Sequence, residues 1–243
     1  MNVYKSVIET PFFHGIFPTS EVERVSSLFV ERSFPTGQII FFQGDIGNEM
    51  YVVKSGALKI YQQDDTREVI LGHQFPGETV GELEVIHHDQ QRLASVATIE
   101  KSTLWILKKL DLDALIEEYP EILRRAFCIV SERLSQADQK IYYLSFLDTR
   151  SRVANLLLDL YANFGVETEE GFLINWKITQ QHFASMIGLN RESVTRVLKD
   201  LQKYNIIQLE KRFIYIIDVE EIQTLAGSLQ NKIEKRKWHS FHM

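Results

Sequence analysis

Residues 179–203 read TQQHFASMIGLNRESVTRVLKDLQK. Two short runs with helical periodicity flank a turn at Gly188. With Gln180 taken as the first place, Ala184 falls fifth, where only a small side chain lets two helices cross. Gly188 falls ninth, where the turn needs a positive φ. Val194 and Val197, at the fifteenth and eighteenth places, pack the second helix on the first, and Phe183, Ile187 and Leu189 complete a small core. Each residue is common alone. Together, at these offsets, they specify a helix-turn-helix.

The second helix is predicted over about Asn190–Tyr204, with Val194, Val197, Leu198 and Leu201 buried. Arg191, Glu192, Thr195 and Arg196 then lie on the opposite face near the N-terminal end, the part of a recognition helix that enters the major groove. Arginine can span the O6 and N7 acceptors of guanine, and glutamate can accept from the cytosine amino group. An ion pair between Glu192 and Arg196 at i,i+4 is a plainer use of the same residues and is compatible with reading DNA. Lys177, Thr179, Gln180, Ser193 and Lys199 are candidates for phosphate contacts, which position a domain without reading sequence. The run IIQLEKRFIYIID (206–218) predicts a hairpin turning at Glu210–Arg212, a wing from which Lys211 or Arg212 reaches the backbone. The closing NKIEKRKWHSFHM is basic and expected to fray.

The net charge of −6 is unevenly spread. From Asp148 to the end there are 13 basic and 12 acidic residues, net +1, leaving −7 for the rest. Lys177–Arg212 holds 7 basic and 3 acidic residues, net +4, a local surface that attracts phosphates while the whole chain repels them.

Upstream, Asp148–Arg152 reads as a hinge and N-cap. A helix is expected over Arg152–Phe164, buried through Leu156, Leu157 and Leu160, and then an acidic VETEEG loop. Pro120 and Glu121 suit the start of a longer helix reaching about Leu147. Its Leu123, Phe127, Val130, Leu134, Ala137, Ile141 and Leu144 are spaced 4-3-4-3-4-3. Spacing that holds at 3.5 residues, without drifting to 3.6, favours pairing with a second copy. Such a helix is about 40 Å long.

From Arg32 to Lys108, short β-rich runs (QIIFFQ, MYVVKSG, ALKIYQQ, REVILGHQF, RLASVATIE, STLWILK) alternate with Gly-Asp, Ser-Gly, Asp-Asp and Pro-Gly turns. That pattern indicates a jelly roll. A short helix over Ser20–Phe29 is expected to precede it, capped by Ser20 or Thr19 with Glu23 completing a capping box. Gly37, Glu49 and Gly56 reproduce the spacing of a cupin metal motif, but Gln43 and Asp45 stand where it needs histidines. His87 and His88, being adjacent, point to opposite faces of an extended segment, and His239 and His242 lie in the tail. No metal site is expected. The single cysteine, Cys128, forms no internal disulfide and holds no iron–sulfur cluster alone. No apolar run approaches a membrane span and the N-terminus lacks signal-peptide character, so a cytoplasmic, non-membrane setting is expected.

The segment GETVGELEVIHHDQQRLASV (77–96), the glycine rhythm of the roll, the long helix and the helix-turn-helix follow one another in the order of the Crp/Fnr family of bacterial regulators, which this chain resembles over nearly its whole length. The resemblance implies an α+β chain. A cyclic-nucleotide-binding-like sensor roll would span 1–118, a dimerisation helix 119–147 and a winged helix-turn-helix 148–243. It implies a non-enzymatic homodimer reading a palindrome of TGTGA-like half-sites through Arg191, Glu192 and Arg196, with RNA polymerase as a further partner. In nucleotide-binding members Gly81-Glu82-Leu83 and Arg92 would form a phosphate cassette, Glu82 holding the ribose and Arg92 the phosphate. Here Leu93 replaces the usual Ser or Thr, Glu84 replaces Gly or Ala and could sit near the anion, and Ala137 and Asp138 replace the base-contacting pair. Three readings of Glu82 and Arg92 stay open: a cyclic-nucleotide site, a pocket for another small anion, or a structural ion pair. Cyclic nucleotide is the less expected effector. Gating would be a population shift at the Leu147–Arg152 hinge. The rival class is a ligand-binding signalling module whose C-terminal domain contacts protein instead of DNA.

Overall fold

The computed structural model describes residues 4–87, 91–169 and 171–227. The sequence expectations for His88, His239, His242 and the basic tail lie outside them. The chain divides into two compact units, one formed by residues 4–62 with 71–136, the other by 63–70 with 137–227.

In the first unit, helix α1 (Val22–Ser27) leads into strands β1 (Val30–Phe34), β2 (Ile39–Phe41), β3 (Glu49–Ser55), β4 (Leu58–Gln63), β5 (Glu68–Gln74) and β6 (Thr79–Val80). Helix α2 (Glu82–Ile86), strands β7 (Ser95–Thr98) and β8 (Ser102–Lys108), and helices α3 (Lys109–Glu118) and α4 (Glu121–Phe146) follow, with the start of β5 and the part of α4 from Ala137 falling in the second unit. The strands form two sheets, ordered β1-β8-β3-β6 and β2-β7-β4-β5. Strands β3 and β8 read as almost unbroken apolar runs because both of their faces are covered. Tyr51, Val53, Leu104 and Ile106 meet Phe41, Leu58 and Val96 between the sheets. Met50, Val52, Trp105 and Leu107 alternate to the other side, against Phe12, Phe13, Leu112, Ile122, Ala126 and Ile129. The inner stripe of α4 is therefore spent on its own roll. The residues of the predicted seam, Leu123 through Leu144, are all exposed in the single chain.

In the second unit, α5 (Thr149–Phe164) is buried from Val153 to Leu160 and packs against α8 (Val219–Ala226). Strands β9 (Gly165–Thr168) and β10 (Gly171–Ile174) precede α6 (Gln180–Met186) and α7 (Arg191–Lys203); β11 (Ile207–Glu210) and β12 (Phe213–Ile216) follow. The sheet order is β11-β12-β10-β9.

Several expectations are corrected. The Ser20–Glu23 capping box does not form: Pro18 opens a 3-10 turn over Thr19–Glu21, and α1 starts at Val22 without a side-chain cap. VETEEG is no loop, since β9 and β10 pair as a hairpin from Gly165 with Ile174 to Thr168 with Gly171. Helix α5 begins at Thr149, three residues before Arg152, because Asp148 accepts the Ser151 N–H and sets the start there. Helix α3 had no counterpart in the sequence reading.

Candidate nucleic-acid interface

Two capped helices build the interface. Thr179 accepts the His182 N–H at 3.1 Å to start α6, and Asn190 accepts the Ser193 N–H at 2.7 Å to start α7. Between them Gly188 adopts φ +64°. A side chain there would also press on Leu144, since a Cβ would stand 3.2 Å from its Cδ2. Phe183, Ala184, Val194, Leu198 and Leu201 are buried, while Val197, expected in the core, is half-buried. Helix α7 closes on Asn205 at φ +58°, with Ile206 N–H donating back to Leu201 O at 2.9 Å.

With one face of α7 thus fixed inward, Arg191, Glu192 and Arg196 are exposed on the other. Neither Glu192 nor Arg196 makes an ion pair among the described residues, so the i,i+4 pair weighed above does not form. Gln180, Asn190, Arg191, Glu192, Thr195, Arg196 and Lys199 line a concavity of about 830 Å³. Thr195 is half-buried, and its hydroxyl lies 2.6 Å from Gln180 Oε1 and 2.7 Å from Arg191 O. It therefore ties α7 to α6 from within the concavity that Arg191, Glu192 and Arg196 also line.

At the wing, Lys211 and Arg212 form the two-residue turn between β11 and β12, at φ +47° and +74°. Both are exposed. A second cleft, of about 600 Å³, runs between this tip and the start of α6, with Thr179, Gln180, Arg191, Lys211 and Arg212 on its walls. Lys177 is exposed, its ammonium 5.3 Å from the Phe213 ring centroid. Ser193 is half-buried in the first turn of α7, and Lys199 is exposed two turns on. The phosphate candidates thus flank the recognition face on two sides.

The cassette of the roll is a separate site. Gly81, at φ +81°, begins α2, and Glu82 is fully buried. Its carboxylate lies 3.0 Å from Arg133 of α4, whose guanidinium also donates to Thr79 O at 3.1 Å. Arg92 is buried as well, but its nearest carboxylate is Glu84, so Glu82 and Arg92 do not form the structural pair considered from sequence. Leu83 is half-buried and Leu93 exposed. Tyr51, whose ring centroid lies 5.9 Å from the Arg92 guanidinium carbon, has its phenol pushed up to about 12 by burial and by the Glu49 carboxylate it donates to. The sequence reading missed Arg133. The signal was an arginine continuing the inward stripe of Ile122, Ala126 and Ile129.

Residues 31–119 match the cyclic nucleotide-binding domain family, and residues 151–225 match the Crp-like helix-turn-helix domain family. The chain is 31% identical over 221 residues to the cyclic AMP receptor protein of Thermus thermophilus, covering 90% of this chain and 98% of that one. It is 28% identical over 215 residues to a CRP-like cAMP-activated global transcriptional regulator of Mycobacterium tuberculosis, covering 88% and 95%. Among solved structures, the c-di-GMP-responsive global regulator CLP of Xanthomonas campestris superposes with a TM-score of 0.73 at 27% identity, covering 82% of this chain and 99% of that one.

Proposed function

Because the chain belongs to the Crp/Fnr family of DNA-binding transcription regulators, we propose that it works as a homodimer whose two α7 helices read a palindrome of TGTGA-like half-sites. Arg191 and Arg196 take guanine edges and Glu192 a cytosine amino group. Thr179, Gln180, Lys177, Ser193, Lys199, Lys211 and Arg212 hold phosphates on either side. The observation that carries this reading is the free charged face of α7, exposed at Arg191, Glu192 and Arg196 while Val194, Leu198 and Leu201 lock the opposite face. The exposed apolar stripe of α4 supports the pairing.

The relatives' names specify cyclic AMP and c-di-GMP. The cassette of this chain departs at Glu84 and Leu93, which supports an effector other than a cyclic nucleotide. Selection from a pool of randomised duplexes tests the main reading. The expected product is a two-fold motif rich in G·C at matching positions, with half-sites about 34 Å apart. Enrichment of an asymmetric motif, or of none, overturns it.

A further inference from the structure

The Arg92 guanidinium is enclosed. Nη1 donates to Gly81 O at 3.0 Å and Nη2 to Glu49 O at 2.6 Å, and the group stacks 4.1 Å from the Phe41 ring centroid. A Cβ on Gly47 or Gly81 would stand 2.7 Å or 2.5 Å from it, so a side chain at either position would displace the guanidinium from this place. Glu84 closes the remaining side. Its Oε1 accepts the Leu93 N–H at 3.3 Å, and its Oε2 lies 3.7 Å from Arg92 Nη1. The side chains of Arg92 and Glu84 are only 3% and 12% exposed. One carboxylate therefore sits between a guanidinium and a backbone N–H supplied by consecutive residues. A fork of this kind suits any oxyanion.

Charge is already balanced around this point. Arg92 faces Glu84, and Arg133 faces Glu82 at 3.0 Å. A phosphate brought within hydrogen-bond reach of Arg92 Nη1 would stand close to the Glu84 carboxylate, a like charge. The arginine still has a donor in reserve, because its buried Nε has no acceptor among the described residues.

We infer that Glu84 is a built-in anion: its carboxylate holds the place of an acidic ligand on Arg92 and Leu93 and bars phosphate-bearing molecules from the roll. This deepens, and rests on, the reading that the roll does not take a cyclic nucleotide. Titration calorimetry on the full chain tests it, with cyclic AMP as one probe and inorganic phosphate as a probe of the anion place alone. Glu84→Gln removes the charge at constant shape, and Glu84→Ala removes the group. The expected result is no uptake by the wild type and binding of at least one probe by either variant, tighter by at least about tenfold. Equal affinities in all three proteins, or binding in none, overturn the inference. Uptake of cyclic AMP by the wild type sinks the underlying reading of the roll as well, whereas variants that gain nothing while the wild type stays silent sink only the role of Glu84.

Discussion

Val130→Asp tests the pairing face at its middle. Val130 is 40% exposed in the single chain, between Phe127 at 70% and Leu134 at 61%. Full burial of such a side chain is worth about 1.5–3 kcal/mol, so covering the remaining two-fifths is worth about 1 kcal/mol per copy. A two-fold seam repeats every change, and the loss doubles to about 2 kcal/mol. The substitution also places two carboxylates in the seam. If they neutralise to avoid desolvation at pH 7, each costs about 4 kcal/mol, the work of protonating a group about three pH units above its ordinary pKa. The total lies between about 2 and about 10 kcal/mol, and even the lower figure weakens the dimer roughly thirtyfold. Sedimentation velocity over a dilution series reads this directly. The wild type should run at twice the chain mass and the variant should shift toward the monomer. Far-UV circular dichroism should change little, since aspartate costs an exposed helix site only about 0.7 kcal/mol. Leu110→Asp, at an 81% exposed position on α3 away from the seam, is the control and should remain dimeric. A Val130→Asp protein that sediments as the wild type does would show that α4 pairs through another face or not at all.

Arg196→Ala should cost about 1–3 kcal/mol of operator binding and relax discrimination at one base pair, read by competition with single-substituted operators. Lys199→Ala should weaken operator and random DNA alike and flatten the log–log salt slope by about 1. Lys211→Asn with Arg212→Gly relieves two left-handed residues, each costing about 1–2 kcal/mol, so the thermal midpoint should rise while DNA affinity falls. A gain in stability with unchanged affinity would remove the wing tip from the interface. Asp148 has its carboxyl held below the ordinary aspartate value, chiefly by the Ser151 N–H. A depressed folded pKa stabilises above the unfolded value and is lost as pH falls through the folded one. Asp148→Ala should therefore cost about 0.5–2 kcal/mol at neutral pH, a deficit that shrinks on acidification in urea titrations.

Local signals were the legible ones. The glycine turn at Gly188 and the buried stripe of α7 lie within one short stretch, so the helix-turn-helix could be read there. The exposed apolar stripe of α4 was legible because its spacing is regular over three heptads. Helix α3 was not, because its leucines mislead: Leu112 and Leu115 are buried, but Leu110 points to solvent and spoils the period. Strand β9 is polar and gains its place only by pairing with β10, which in turn pairs Phe172 with Ile216. The partner of Glu82 was hidden for the same reason. Arg133 lies far along the chain, and nothing local to Gly81-Glu82-Leu83 points to it.

The joint between α4 and α5 is short and tightly bonded. Only Leu147 and Asp148 separate the two helices. Arg152 donates through Nε to Leu147 O and through Nη2 to Leu144 O, both at 2.9 Å, so a residue of α5 satisfies carbonyls that the end of α4 leaves open. Asp148 in turn caps α5 through Ser151 at 2.8 Å. The joint is thus a clamp with no slack, and a rotation of the end of α4 carries α5 with it as long as the clamp holds. Releasing two hydrogen bonds from a charged donor costs about 3–6 kcal/mol before solvent exposure reduces it. Swinging a two-state equilibrium from one extreme to the other takes about 5.5 kcal/mol of differential binding. The two figures are of the same size. A rotation at the end of α4 relative to α5 must therefore break this specific pair of bonds.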